Sequence, residues 1–328
     1  LQGRRDYFSP KQDVGLAMKD CLVTVFGGGG FLGRQVVQEL LTRGARVRVA
    51  QRSIGDAFRV KPLGGLGQTQ FVAADITKPQ SVARAVTGSD VVINLVGILS
   101  GDFEAVQHQG AANVAKAAAN AGAKTLVHVS AIGADAESPA GYARSKAAGE
   151  VAVKAAFPSA TILRPSIIFG REDQFINRFA NLISMTPVVP VLAPQTKFQP
   201  IYVTDVAHAI ANAASDPQAH GGKTYELGGP QQLSMMELNA WIAKGIGRDR
   251  PLIAVPAPIA SLIATFGFLP GAPITRDQWA LLQKDNIVAP GAAGLAALDV
   301  TPTPMASVAE SWLVRFRRHG RFTGRAKA

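Results

Sequence analysis

Short apolar, β-branched runs alternate with helix-patterned segments through the first half of the chain. The runs predict strands at Cys21–Phe26, Arg46–Ala50, Gln70–Ala73, Val91–Leu95, Thr125–Val129 and Ala160–Leu163. Between them, apolar positions spaced by three and four predict helices near Leu32–Leu41, Ser81–Thr87, Phe103–Asn120 and Ala140–Ala156. Such alternation builds right-handed βαβ units, and so an α/β fold with a parallel sheet covered by helices on both faces. Ligands then bind beyond the carboxyl ends of the strands. After Phe169 the pattern changes. A helix near Gln174–Ile183 leads into the proline-bearing MTPVVPVLAPQTKFQPIYVTD, and another runs from Val203 towards Ser215. The Pro/Gly-rich remainder carries helices near Ser234–Ile246, Ile259–Phe266, Arg276–Lys284 and Ser307–Arg318.

The first strand-to-helix turn carries the most chemistry. In VTVFGGGGFLGRQVVQELL, Gly27, Gly30 and Gly33 form G-x-x-G-x-x-G between an apolar run and an amphipathic helix. The first glycine permits a tight turn, the second lets a pyrophosphate approach the backbone, and the third lets the helix pack on the sheet. The helix start aims free N–H groups and its positive dipole end at the phosphates, which places Gly30, Phe31, Leu32, Gly33 and Arg34 at a dinucleotide. The fold expected is therefore a Rossmann-type doubly wound parallel sheet with a smaller, mostly helical C-terminal cap. We read 1–18 as an N-terminal arm and 19–170 as the nucleotide domain, to which 198–232 returns. Residues 171–197 and 233–328 form the cap, ending in a basic tail.

Cofactor choice turns on the end of the second strand. An acid there would hydrogen-bond a ribose 2′-hydroxyl and select NAD; the chain has AQRS, with Arg52 and Ser53. Arginine can fork onto a 2′-phosphate through charge-assisted hydrogen bonds worth about 1.5–3 kcal/mol each. Arg34 is a second candidate cation, so NADPH is the expected cofactor; the alternative is a pair of solvated surface arginines. Asp75 and Ile76 end the third strand and suit the adenine edge, or equally a helix N-cap region before Lys78. In VVINLVGIL, Val96 and Gly97 let the backbone approach the second ribose, and Asn94 reads as structural. GYARSKAAGE then puts Tyr142 and Lys146 four apart, on one helix face. A phenol with a pKa of about 10 is a poor acid or base at neutral pH, and a nearby ammonium is expected to lower it. Lysine also suits the nicotinamide ribose.

These motifs resemble the extended, atypical branch of the short-chain dehydrogenase/reductase superfamily. ILRPSIIFG is similar to its R-P-x-x-(V/I)-(Y/F)-G turn, and QPIYVTDVAHAI and YELGGPQQLSMMEL to its later sequence. VTVFGGGGFLGR, PLGGLGQTQF, VVINLVG, IIFGREDQFINRFA and PITRDQWALLQKDNIV further resemble the nucleotide-binding accessory subunits of respiratory complex I, from Leu22 to about Arg318. The resemblance implies tightly bound NADPH, a place on the hydrophilic arm near the membrane and the quinone site, other complex I subunits as partners, and no turnover. It puts the nicotinamide end on Tyr142, Lys146, Pro165, Ser166 and Ile167. Active reductases carry a Ser or Thr after the fifth strand. Here HVSAIG offers Ser130, with Ala131 where the hydroxyl belongs, so no catalytic residue is expected; Tyr142, Lys146 and Ser130 would serve an active reductase or epimerase.

Composition narrows the remaining choices. At 328 residues, 47% hydrophobic and 17% charged, the chain has room for one large α/β domain and a smaller one. A single cysteine, Cys21, excludes an internal disulfide and reads as a small semi-buried side chain. The net charge of +11 is concentrated partly in Arg315, Arg317, Arg318, Arg321, Arg325 and Lys327, a tail suited to an anionic membrane surface. Nucleic acid is not expected, because no aromatic residues interleave with those charges to form stacking platforms. The apolar stretch Pro256–Pro270 is too short to cross about 30 Å of hydrocarbon. The N-terminal segment lacks the apolar core of a secretory signal, and Met18 is an alternative start. Alanine-rich composition points to a bacterial source, hence the cytoplasmic face of the inner membrane, or the matrix side in a mitochondrion.

Overall fold

Every strand of the central sheet is short and parallel to its neighbours; those at its centre are apolar runs, as burial on both faces demands. The structure, a computed structural model, describes residues 18–267, 274–318 and 320. The N-terminal arm before Met18, the end of the Pro256–Pro270 stretch and the tail residues Arg321, Arg325 and Lys327 lie outside the described residues. In chain order the main elements are β1 (Leu22–Phe26), α1 (Phe31–Thr42), β2 (Arg46–Gln51), β3 (Thr69–Ala73), α2 (Pro79–Val86) and β4 (Val91–Asn94). There follow α3 (Gly110–Asn120), β5 (Thr125–Val129), α4 (Gly141–Ala156), β6 (Thr161–Pro165), α5 (Ile176–Met185), α6 (Val203–Ser215) and β7 (Thr224–Leu227). The last are α7 (Met235–Gly245), α8 (Ala257–Thr265) and α9 (Arg276–Leu281).

The spatial order is β7-β6-β5-β4-β1-β2-β3. The chain winds outward from β1 in one direction, then returns to β4 and winds the other way; the crevice at the β1/β4 reversal is where such sheets bind ligands. Successive side chains of β1 serve opposite cores. Val23 and Val25 pack with Val36, Val37 and Leu40 of α1 and Val206 and Ile210 of α6. Phe26 packs on the other face with Val82, Val114, Leu126 and Val153. A third core gathers Phe169, Ile176, Ile183, Leu238, Ile242, Trp312 and Leu313. Phe169 sits within it, with its ring 5.5 Å from Tyr202 and 6.4 Å from Trp312.

The six expected strands and the early helices form within two residues of their expected bounds, with one internal change. The Phe103–Asn120 helix opens as a wide π turn over Glu104–Gln109 before α3. That turn presses Gln107 against α4: a Cβ on Gly149 would lie 2.2 Å from the Gln107 carbonyl oxygen, and the Gln107 amide donates to Ser145 Oγ at 2.9 Å. The predicted Ser307–Arg318 helix is instead two single turns, Met305–Val308 and Glu310–Leu313, followed by a 3₁₀ turn. Met305, Ala309, Trp312 and Leu313 still face the third core.

Candidate functional site

The β1–α1 turn has the geometry an anion needs. Gly27 sits at φ +81°, where a side chain is strained. A Cβ on Gly33 would lie 2.2 Å from the Gly27 carbonyl oxygen and 2.6 Å from Gly28 Cα, so only glycine lets α1 start this close to the loop. Gly30 caps α1 in extended conformation. Arg34 N–H donates to the Gly30 carbonyl at 3.0 Å, leaving the amides of Phe31, Leu32 and Gly33 without an intrahelical acceptor. Gln51, at the end of β2, pins the loop: its Oε1 accepts from Gly29 N–H at 2.9 Å while its Nε2 donates to Ser53 O at 2.5 Å.

A cleft of about 500 Å³ opens above this turn. It brings together Gly27, Gly30, Phe31, Leu32, Gly33, Arg52, Asp75, Ile76, Val96 and Gly97, all predicted from the sequence. Arg59 and Asp56 join Arg52 on the same wall and were not predicted. Arg59 lies in the 3₁₀ segment Phe58–Leu63, and its place on the wall with Arg52 is readable only once residues 54–63 are known to be helical. Asp75 holds Thr77 in a turn, accepting from its N–H at 3.0 Å and its hydroxyl at 2.8 Å, and the hydroxyl is the main cause of its lowered pKa. Arg34, Ser53 and the residues expected at the nicotinamide end, Ser130, Tyr142, Lys146, Pro165, Ser166 and Ile167, do not line the cleft. Ser53 starts the turn Ile54–Ala57 without a side-chain cap, and Arg34 is ion-paired with Glu172 of the FGRED segment.

Lys146 lies just beyond this cleft, next to Gly97 of its lining: a Cβ there would sit 3.2 Å from Lys146 Nζ. The ammonium donates to Val129 O at 3.4 Å and lies 5.9 Å from the centre of the Tyr142 ring. Burial lowers its pKa to about 8, against the pull of Glu150. Behind it, His128 is held neutral, its pKa pushed to about 3 by burial and then by Lys146. Asn94 supports both neighbours, accepting from Val96 N–H at 3.1 Å with its Nδ2 3.2 Å from His128 Nδ1.

Tyr142 corrects one expectation. Its pKa is raised to about 12, not lowered, because burial disfavours the phenolate and Asp277 adds a like charge. Asp277 arrives from α9 to cap α4, accepting from Gly141 N–H and from Tyr142 N–H at 3.3 Å. Ser130 directly follows β5, with its hydroxyl buried and without a partner. Pro165 continues β6 and its carbonyl accepts from Ile132 N–H at 3.1 Å. Ser166 Oγ lies 2.7 Å from Asn286 Oδ1, and the Ile167 carbonyl accepts from Ile201 N–H at 2.9 Å. Asp277 and Asn286 were missed as site residues; each lies more than a hundred residues from its partner, and only the motif PITRDQWALLQKDNIV marked the segment. Among the described residues, no group of three or more His, Cys, Asp or Glu could hold a metal.

The model of the NAD-dependent epimerase/dehydratase family matches residues 23–228. The chain belongs to this family. The cleft at its β1/β4 reversal is thus a nucleotide-cofactor site. The chain is 38% identical over 293 residues to the rat mitochondrial NADH dehydrogenase [ubiquinone] 1 alpha subcomplex subunit 9, covering 87% of this chain and 77% of that protein. It is 36% identical over 200 residues to the ceramide reductase of Caulobacter vibrioides, covering 60% of this chain and 62% of the other. The fold is shared with an NADPH-dependent quinone oxidoreductase of Escherichia coli solved with NADPH. That likeness has a TM-score of 0.73 at 21% identity and covers 89% of this chain and 99% of that one.

Proposed function

We propose that this chain is an NADPH-holding accessory subunit of respiratory complex I, a structural member of the hydrophilic arm rather than a catalyst. The observation that carries the reading is the 38% identity to subunit 9 along 87% of the chain. It sits peripherally near the membrane and the quinone site, on the cytoplasmic face in a bacterium or the matrix side in a mitochondrion. Among the described residues no helix is long and apolar enough to cross a membrane. The basic C-terminus faces the anionic lipid, and other arm subunits are its partners. Residues 19–170 with 198–232 hold the nucleotide; 171–197 and 233–328 present the cap. Blue-native separation of solubilised membranes tests this: the chain migrates in the complex I band, and its absence from that band overturns the proposal.

Support for NADPH rather than NADH comes from Arg52 and Arg59, which line the same cleft beside Asp56, with Gln51 rather than a carboxylate ending β2. Phosphate contacts lie on Gly30 to Gly33, with Arg52 and Ser53 at the 2′-phosphate and Asp75 and Ile76 at the adenine. Arg52 is exposed, so its hydrogen bonds to phosphate are partly screened, and Arg52→Ala lowers NADPH affinity about tenfold while leaving NADH nearly unchanged. Equal affinity of the wild type for both cofactors in calorimetry sinks this part of the reading. The second reading is an NADP-dependent reductase or epimerase using Tyr142, Lys146 and Ser130, favoured by the similarity to ceramide reductase. It predicts turnover that Tyr142→Phe abolishes; the structural reading predicts no appreciable NADPH oxidation across a panel of carbonyl substrates.

A further inference from the structure

Helix α8 turns its small residues inward and its bulky ones outward. Its buried side chains are Ala260 and Ala264, one turn apart. Ile259, Leu262 and Phe266, spaced by three and four, form a stripe that is 52%, 60% and 51% exposed. The Thr265 hydroxyl donates to the Ser261 carbonyl at 3.0 Å, so it makes no demand on water. Exposed apolar residues continue into the parallel ladder that leads to α8, where Ile253 is in register with Pro190 and Val188 lies just before that strand. From Pro251 to Thr275 the sequence carries no charged residue. Charge returns at both ends. Lys244, Arg248 and Arg250 precede the segment and Arg276 follows it, against Asp249 and Asp277, and Asp277 is occupied in capping α4. The end of α8 is pressed against the start of α9, since a Cβ on Gly267 would lie 2.5 Å from Thr275 Cα. Arg248 and Arg250 each keep a buried Nε without a hydrogen-bond partner.

We propose that α8 lies in the surface of an anionic bilayer, with Ile259, Leu262 and Phe266 among the acyl chains and Arg248, Arg250 and Arg276 at the lipid phosphates. This placement rests on and deepens the membrane-side reading of the proposed function, which gives the lipid contact to the basic C-terminus alone. A helix of nine residues is too short to cross the hydrocarbon and so lies in its plane. An interfacial helix needs a second face turned away from lipid, and here the body of the protein supplies it, seated on Ala260 and Ala264. Cations at both ends of an uncharged apolar stripe complement a surface whose anions lie over an apolar interior, and long arginine stems reach those anions while the stripe is buried.

The test sediments the full chain with vesicles of phosphatidylcholine, alone or mixed with phosphatidylglycerol. Wild type partitions onto the mixed vesicles. Leu262→Ser and Phe266→Ser each weaken that partition about tenfold and leave the melting temperature unchanged, because both side chains are exposed in the folded chain. Arg248→Gln combined with Arg250→Gln lowers binding to the mixed vesicles and flattens its salt dependence. Phe266→Trp separates insertion from adsorption through the basic tail: brominated acyl chains quench the variant's emission more than that of the wild type, a readout that needs no serine variant to fold. Failure of wild type to bind the mixed vesicles, binding indifferent to Leu262 and Phe266, or no added quenching overturns the proposal. Self-association that Leu262→Ser abolishes, with no vesicle binding, assigns the stripe to a second copy and overturns it as well. Absence of the chain from the complex I band sinks the subunit reading by itself, because vesicle binding is measured on the purified chain.

Discussion

Asp173, the last residue of FGRED, fastens the loop before α5 to the start of that helix. Its Oδ1 accepts from the N–H groups of Phe175 at 2.8 Å, Ile176 at 2.6 Å and Asn177 at 3.3 Å. Its Oδ2 accepts from Gly170 N–H at 3.1 Å and Asn177 Nδ2 at 3.3 Å. The residue is buried, and that burial raises its carboxyl pKa despite the backbone N–H groups pulling the other way. Asp173→Ala orphans the first amides of α5 together with Gly170. A buried N–H without a partner costs about 1–3 kcal/mol, and relief of the carboxylate's desolvation offsets part of the total. Counting only the two shortest bonds gives a loss of about 3 kcal/mol, a large share of the 5–15 kcal/mol typical of a folded protein. Asp173→Asn keeps the acceptor serving Phe175 and Ile176 but turns a donor towards Gly170 N–H and the Asn177 amide, so it loses about half as much. Urea unfolding of the three proteins gives the order wild type, Asn, Ala. Equal loss for Asn and Ala, or less than about 1 kcal/mol for Ala, refutes the capping account.

Three further outcomes follow from the same geometry. Gly33→Ala drives a Cβ into the Gly27 carbonyl and Gly28 Cα, both backbone, and lowers cofactor-free stability by about 1–3 kcal/mol. Gly30→Val meets only the Gly27 carbonyl, with its Cβ at 3.2 Å; it changes cofactor-free stability by about 1 kcal/mol but abolishes the rise in melting temperature on adding NADPH. The third concerns pH. Glu39 is held down to about 2, first by His208 at 3.3 Å and then by Arg43 at 2.8 Å, while Glu39 raises the pKa of His208. The depressed carboxylate contributes stability above its ordinary pKa that is lost as pH falls from about 4.5 towards 2. The raised imidazole contributes stability below 6.5 that is lost as pH climbs through its folded value. After discounting for partial exposure the Glu39 limb amounts to about 1 kcal/mol, and Glu39→Gln flattens both limbs in urea midpoints measured from pH 3 to 8. Parallel profiles for wild type and variant refute the pairing.

The sheet was readable because strands buried on both faces must be continuous apolar runs, and the glycine turn because only glycine meets its backbone demands. β7 was not. It has four residues, sits at the edge beyond β6, and buries only Tyr225 and Leu227, a pattern too short to stand out from a loop. Side-chain partnerships across long separations were equally hidden. Arg34 read as a phosphate ligand from its place after Gly33; that its partner is Glu172, 138 residues on, depends on how the FGRED loop folds back. Tyr142 likewise had a predictable neighbour in Lys146 and an unpredictable one in Asp277, and the second, with burial, sets the sign of its pKa shift.

Placing a nucleotide at the β1–α1 turn has a consequence for the cap, because the same turn touches both. Phe31, whose amide has no intrahelical acceptor, has its ring where a Cβ on Gly170 would meet it at 3.1 Å. Arg34, one residue past the third glycine, pairs with Glu172. The next residue is Asp173, whose carboxylate caps α5 and so anchors the third core. Phosphate, turn, FGRED loop and α5 are thus consecutive links. A ligand that binds only the ordered turn stabilises it by about 2.7 kcal/mol at a hundredfold excess over Kd. That stabilisation acts one contact away from the cap. On the proposed function, a dinucleotide at this turn acts on the surface offered to partner subunits through the Arg34–Glu172 pair and the FGRED loop that precedes α5.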